Sequence, residues 1–205
     1  MPMALSNPPA GESRQSRHRR DDRLTESSKR LFGEIIMSDL KKLFKGEHPF
    51  ITEPGFWVVA GHGMSGEPLD RLPIQGRMQV SHKDGRIVNI GEMSVVSRAN
   101  PMTFQTTYEM TPSEDELVLD FFQANESVGD LRGKVVVFDD RLISTYTSGD
   151  GSLTGCEVLH RMGENRYAAT GNLLGNGKLV NLWKLDLVRP AEGGLQEKVE
   201  HSGKA

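Results

Sequence analysis

Cysteine is almost absent from this chain: of 205 residues, Cys156 alone carries a thiol. One cysteine cannot form an internal disulfide, so we expect the protein to work in a reducing, cytoplasmic setting. Long apolar runs are also missing, since no stretch approaches the roughly 18 consecutive apolar residues that a membrane helix needs. The N-terminal segment lacks the apolar core of a secretory signal. We therefore expect no membrane partner.

Charge of one sign is not in excess either. The formal net charge is -3, which is too small to predict a surface that seeks polyanions. A basic run at residues 17–20 could serve as a nucleic-acid or targeting arm, but acidic residues follow it at once. The composition of this segment favours a solvated, disordered tail, so we expect no nucleic-acid partner.

These features predict one domain between two disordered ends. We predict a disordered extension over residues 1–36, a folded domain over 37–190 and a disordered tail over 191–205, with Met37 as an alternative natural start. Ser38 can cap a short helix that runs to Lys45 and opens the domain.

The common signatures of catalysis and metal binding are missing as well. The chain has no Gly-x-Ser-x-Gly elbow, no glycine-rich phosphate loop and no Gly-x-Gly-x-x-Gly after a strand. No histidine pair has metal-ligand spacing, and one cysteine cannot build a closed zinc site. We therefore expect no metal, we assign no catalytic residue, and whether the protein is an enzyme stays open.

What the chain does contain is a series of short alternating segments over residues 55–189, separated by tight-turn dipeptides. Asp84-Gly85 is a strong hairpin signal, because both central residues must accept a positive φ. Because these connections are short, strands that are adjacent in sequence must pair in the sheet. A meander of many strands leaves no unpaired edge strands if it closes into a barrel. The sequence predicts an all-β fold: a single antiparallel up-and-down β-barrel of about ten strands with a short N-terminal helix. The predicted strands are 56–64, 76–82, 86–95, 102–110, 116–123, 134–138, 141–147, 154–162, 166–173 and 178–188.

Alternation indicates which side chains enter the barrel. One face of the fourth strand and one face of the last combine large apolar side chains with hydroxyl and amide groups. This mixture is typical of a small-molecule cavity with a few placed polar groups. A solid core, whose polar groups bond each other or trapped water, is the alternative. The predicted ligand-binding residues on these faces are Phe104, Thr106, Tyr108, Asn181 and Trp183.

His160 is a further candidate for the cavity, because it shares a strand face with Cys156 and Val158. An inward neutral imidazole could ligate haem iron or act as a base, whereas a satisfied or exposed histidine is the alternative. Glu92 and Glu157 are the carboxylates that would face the cavity if the register differs. Alternation favours an outward position for both.

The start of the domain resembles a known superfamily. Gly55-Phe56-Trp57 opens the first predicted strand after a short helical segment, and this pattern resembles the opening signature of the lipocalins and their calycin relatives. In those families the Trp closes one barrel end, and an Arg just past the final strand packs across its ring. Arg189 matches that position. The resemblance implies structural roles for Gly55, Trp57 and Arg189. Ten strands and a cytoplasmic setting are similar to the fatty-acid-binding-protein-like and nitrobindin-like barrels, in contrast to secreted eight-stranded lipocalins.

Three functions are compatible with these features. The first, which we favour, is binding of a small hydrophobic molecule inside a cytoplasmic barrel without a cofactor. The second is a barrel enzyme of the isomerase or hydratase type, or a haem-binding nitrobindin-like protein. The third is a filled barrel that acts through protein contacts, including those of a homodimer. A cavity below about 300 Å³ would favour the third function.

Overall fold

A computed structural model describes residues 48–65, 70–95, 102–125 and 128–191. The expected helix that Ser38 begins, the disordered extension, the alternative start at Met37 and all but the first residue of the C-terminal tail lie outside these ranges. No helix among the described residues has the length and apolarity needed to cross a bilayer.

Within these ranges the chain forms one short helix followed by ten strands. The helix is α1 (Pro49–Thr52), and the strands are β1 (Gly55–Ser65), β2 (Asp70–Lys83), β3 (Arg86–Val95), β4 (Met102–Pro112), β5 (Val118–Asn125), β6 (Leu131–Phe138), β7 (Arg141–Ser148), β8 (Leu153–Gly163), β9 (Arg166–Gly175) and β10 (Lys178–Val188).

The strands form a closed antiparallel barrel in which each strand pairs with its neighbours in sequence. Strand β1 pairs with β10 and closes the wall. The hairpin turns use left-handed backbone where the dipeptides predicted it, with φ of 51° and 76° at Asp84-Gly85 and 48° and 78° at Asn176-Gly177. The predicted all-β up-and-down barrel is therefore confirmed.

The main error in the strand boundaries concerns β2, which begins at Asp70 instead of residue 76. Pro73 argues against a strand, because proline cannot donate to a ladder. Among the described residues the pairing of β2 with β3 runs from Ile74 to Lys83, and Pro73, just before it, pairs with His62 of β1. A proline is tolerated at such a strand end.

Helix α1 seals one end of the barrel with aromatic rings. The ring of Phe50 lies 5.3 Å from that of Trp57 and 5.7 Å from that of Tyr167, and Trp57 and Tyr167 are 5.5 Å apart. His48, which precedes the helix, is buried and places Nε2 2.8 Å from the carbonyl oxygen of Asp139. Burial raises the pKa of the Tyr167 phenol to about 12, so it stays neutral. This end of the cavity is therefore closed by packing.

Candidate functional site

The barrel encloses a cavity of about 310 Å³. It extends from Phe50 and Ile51 at the sealed end to residues such as Met64, Val95 and Met102, near the opposite ends of their strands. Its wall is mainly apolar. The structure places five of the residues predicted from alternation on this wall: Phe104, Thr106, Tyr108, Asn181 and Trp183.

The most unusual group in the wall is the carboxylate of Glu157. On β8 the inward positions are Gly155, Glu157 and Leu159, so the expected outward position of Glu157 is wrong. The indole Nε1 of Trp183 donates a hydrogen bond of 2.7 Å to its Oε2. Burial raises the pKa of the Glu157 carboxyl, and the hydrogen bond from Trp183 opposes that rise.

Glycine makes this hydrogen bond possible. Glu157 stands opposite Gly171 of β9, and Gly171 stands opposite Trp183 of β10. A Cβ at position 171 would lie 2.4 Å from Cζ2 of the indole. Because glycine has no side chain, the Trp183 ring can lie flat across β9 and reach the carboxylate one strand further on.

A second glycine accommodates a second aromatic ring beside the carboxylate. A Cβ at Gly155 would lie 2.3 Å from Cε2 of Tyr146. The ring of Tyr146 continues a row, 5.8 Å from Phe121, which is 5.7 Å from Tyr108. Burial, followed by the negative charge of Glu157, raises the pKa of both phenols well above its usual range. The phenols are therefore neutral groups in the wall.

The remaining polar wall groups are amides and hydroxyls. The Asn125 side chain donates from Nδ2 to Oγ1 of Thr106 at 2.7 Å. Asn89, opposite Tyr108 in the β3–β4 register, is 2% exposed, and no described residue forms a hydrogen bond with its Oδ1. Lysine, arginine and histidine are absent from the described side chains that line the cavity. The described residues also contain no cluster of three or more His, Cys, Asp or Glu side chains that could hold a metal ion.

His160 lies on the outer face of the barrel, so its expected inward orientation is wrong. Its Nε2 is 2.7 Å from Oδ2 of Asp140, and this hydrogen bond lowers the pKa of the Asp140 carboxyl. Neighbouring side chains on a strand point to opposite faces, so an inward Glu157 places Cys156 and His160 outside. Ligation of haem by an inward His160 therefore has no geometric basis. Glu92 also points outward, 3.6 Å from Arg77.

The three residues named by the lipocalin resemblance meet at the sealed end. The guanidinium carbon of Arg189 lies 6.0 Å from the centroid of the buried Trp57 ring. Its Nη2 donates 2.7 Å to the carbonyl oxygen of Pro54. A Cβ at Gly55 would lie 2.8 Å from that nitrogen, so glycine leaves the space that the guanidinium occupies.

No protein-family model and no curated protein matches the sequence. Several solved structures are similar in shape. The S-type phycobiliprotein lyase CPES from Guillardia theta is 8% identical with a TM-score of 0.52, and the match covers 78% of this chain and 98% of that chain. Rv2717c from M. tuberculosis is 10% identical with a TM-score of 0.55, covering 73% and 98%.

What they share is the fold. Both neighbours are lipocalin-like barrels, and at these identities the likeness extends to architecture alone.

Proposed function

We propose that the protein binds a small, largely apolar molecule inside its barrel. The observation that carries this proposal is the cavity of about 310 Å³ inside the barrel, with a mainly apolar wall and a few convergent polar groups. Small-molecule sites usually begin at about 300 Å³. A cavity of this volume is at the lower end of the range for small-molecule sites, which suits a small ligand.

The architecture supports this function. A barrel of this kind can hold one small ligand in its interior, and the fold is shared with a phycobiliprotein lyase from Guillardia theta. The filled barrel is less well supported, because the cavity just exceeds the size at which ligand sites begin. Because Cys156 is the single cysteine and cannot form an internal disulfide, a reducing, cytoplasmic setting is supported. Fractionation of the native cells tests this location.

A barrel enzyme is the second candidate, and one observation favours it. Glu157 is an enclosed carboxylate with a raised pKa, and a general base is most effective when its pKa lies near the working pH. Substitution of Glu157 by Gln separates the two functions. A binding protein keeps its apolar contacts in this variant, whereas an enzyme loses turnover of the ligand.

Native mass spectrometry of protein isolated from its own cells tests the primary proposal. A retained mass of small-molecule size supports it, and the same spectrum reports any homodimer. Ala169 and Ala168 provide matched variants, because Ala169 lines the cavity and Ala168 does not. We expect Ala169→Phe to fill the cavity and release the ligand, and Ala168→Phe to retain it. A ligand that survives the first substitution in folded protein contradicts a cavity site.

A further inference from the structure

Among the described residues, the Glu157 carboxylate has no positively charged partner. Trp183 is the donor that the structure gives it, and that indole is neutral. An ionised carboxylate in an apolar enclosure is costly unless it is paired. The cost disappears when a proton binds the carboxylate or when a cation enters the cavity.

The groups around Glu157 do not supply that cation in the described part of the chain. From β7 and β4, Tyr146 and Tyr108 face the carboxylate, and both are neutral phenols. From β10 it meets Trp183, and from β9 it meets Gly171. Among these described groups, Glu157 is therefore the one that can carry a negative charge.

A second acceptor in the same wall is also unmatched. Oδ1 of Asn89 is buried and has no hydrogen-bond partner among the described residues, and a buried acceptor left unpaired destabilises the fold. Asn89 stands directly opposite Tyr108, one of the two phenols that interact with the Glu157 charge. The cavity thus offers two hydrogen-bond acceptors to a ligand.

We propose that the ligand is an apolar molecule with a cationic nitrogen, whose ammonium group pairs with the Glu157 carboxylate and whose hydrocarbon body fills the apolar part of the cavity. This inference rests on the proposed ligand-binding function and narrows its ligand class. Asn89 offers the ligand a second hydrogen-bond acceptor on the cavity wall. An N⁺–H···O⁻ hydrogen bond is roughly twice as strong as its neutral counterpart, which gives the site its preference.

Three probes of equal chain length test the charge requirement. Octylamine, 1-octanol and octanoate each have about nine or ten non-hydrogen atoms, so the three probes are small and nearly equal in size. They differ in the charge of one end: positive, neutral or negative at about pH 7.5. Isothermal titration calorimetry measures the Kd of each probe for the wild-type protein and for Glu157→Gln.

We expect wild-type protein to bind octylamine at least about tenfold more tightly than 1-octanol, because a hydrogen bond to a charged group exceeds a neutral one by that factor or more. In Glu157→Gln the two probes should bind within about twofold of each other, since the charge is gone and the volume is kept. Glu92→Gln is the matched control, because it removes an outward carboxylate, and it should leave the preference intact.

A pH series on wild-type protein gives a test that needs no variant. As the pH rises through the raised pKa of Glu157, the carboxyl loses its proton, so octylamine should bind more tightly. The gain ends at about pH 10.4, where an alkyl amine loses its own proton. Octyltrimethylammonium keeps its charge and should show the same rise without the later fall, whereas 1-octanol should stay level.

The outcomes separate this inference from the function on which it rests. Equal affinity for octylamine and 1-octanol overturns the cationic ligand and leaves ligand binding intact. Tighter binding of octanoate than of octylamine overturns the inference in the same way, since it would show that the site prefers a negatively charged ligand. Failure of all the probes to bind overturns both proposals.

Discussion

Replacement of Trp183 by phenylalanine removes the hydrogen-bond donor of the enclosed carboxylate. Phenylalanine keeps a ring above Gly171 but has no N–H within reach of Glu157, where the indole now donates at 2.7 Å. A hydrogen bond to a charged group contributes about 1.5–3 kcal/mol. We therefore expect Trp183→Phe to lower the free energy of unfolding by about that amount at about pH 8, in addition to the loss of ring contacts.

The size of this loss should depend on pH. Burial raises the pKa of Glu157 in the folded state, whereas glutamate in the unfolded chain titrates near about 4.3. The folded protein therefore holds this proton to higher pH, so the Glu157 contribution to stability decreases as the pH rises from about 4.3 through the folded pKa. Without the indole donor the folded pKa rises further, and the decrease in stability extends over a wider range. At about pH 4 the neutral carboxyl accepts an ordinary hydrogen bond, worth about 0.5–1.5 kcal/mol.

A double-mutant cycle isolates the interaction from the packing loss. Urea unfolding is followed by far-ultraviolet circular dichroism for the wild type, Trp183→Phe, Glu157→Leu and the double variant. We expect a coupling energy of about 1.5–3 kcal/mol at about pH 8 and a smaller one at about pH 4. Trp57→Phe is the control, because the Trp57 indole is buried without a hydrogen-bond partner and should show no coupling. A Trp183 coupling below about 0.5 kcal/mol, or one that does not change with pH, would refute the charged hydrogen bond.

Three further predictions concern the glycine, the sealed end and the outer histidine. Gly171→Ala should lower the unfolding free energy by about 1–3 kcal/mol in urea, because the new Cβ meets the Trp183 ring; an unchanged midpoint would show that the ring can move freely. Arg189→Met should lower the unfolding free energy by at least about 0.5–2 kcal/mol in the same assay, because it removes the cation–π contact with Trp57 and the hydrogen bonds to Pro54 and Glu53; a neutral result would assign these contacts no net energy. His160→Ala should change the Kd for 1-octanol by less than about twofold in calorimetry, whereas a larger change would contradict its place outside the cavity.

Most of the barrel is encoded locally, which is why sequence patterns predict it. Asp84-Gly85 and Asn176-Gly177 adopt the positive φ values that hairpin turns require, so each turn fixes two strand ends. The bounds of β3 and β10 agree with the prediction for this reason. The predicted start of β2 is too late, because a proline is tolerated in a strand where it need not donate a hydrogen bond to a neighbour. Whether Pro73 must donate depends on where the pairing with β3 ends, and local sequence does not show this.

The site could be predicted only in part, because polar side chains usually point outward from a barrel, whereas the wall of a cavity can hold a polar side chain inside. Alternation on β4 and β10 identifies the correct inner faces, where large apolar side chains dominate. On β8 the pattern misleads, since Cys156 and Val158 are outside while Glu157 is inside. A usable signal was present in Gly155 and Gly171: glycine within a strand marks a close approach, and here an aromatic ring lies over each.

The stability of a double variant shows whether the Trp183–Glu157 pair stabilises the fold or serves ligand binding. Removal of one partner leaves the other buried and unsatisfied, but replacement of both by apolar groups is often neutral or stabilising. We therefore expect the double variant Glu157→Leu/Trp183→Phe to be at least as stable as the wild type at about pH 8, while it loses the preference for octylamine over 1-octanol. This result would mean that the pair does not stabilise the fold and that its role is to bind the ligand. A double variant that is less stable by more than about 2 kcal/mol would instead assign the pair to the core, and the argument for a cationic ligand would lose its energetic basis.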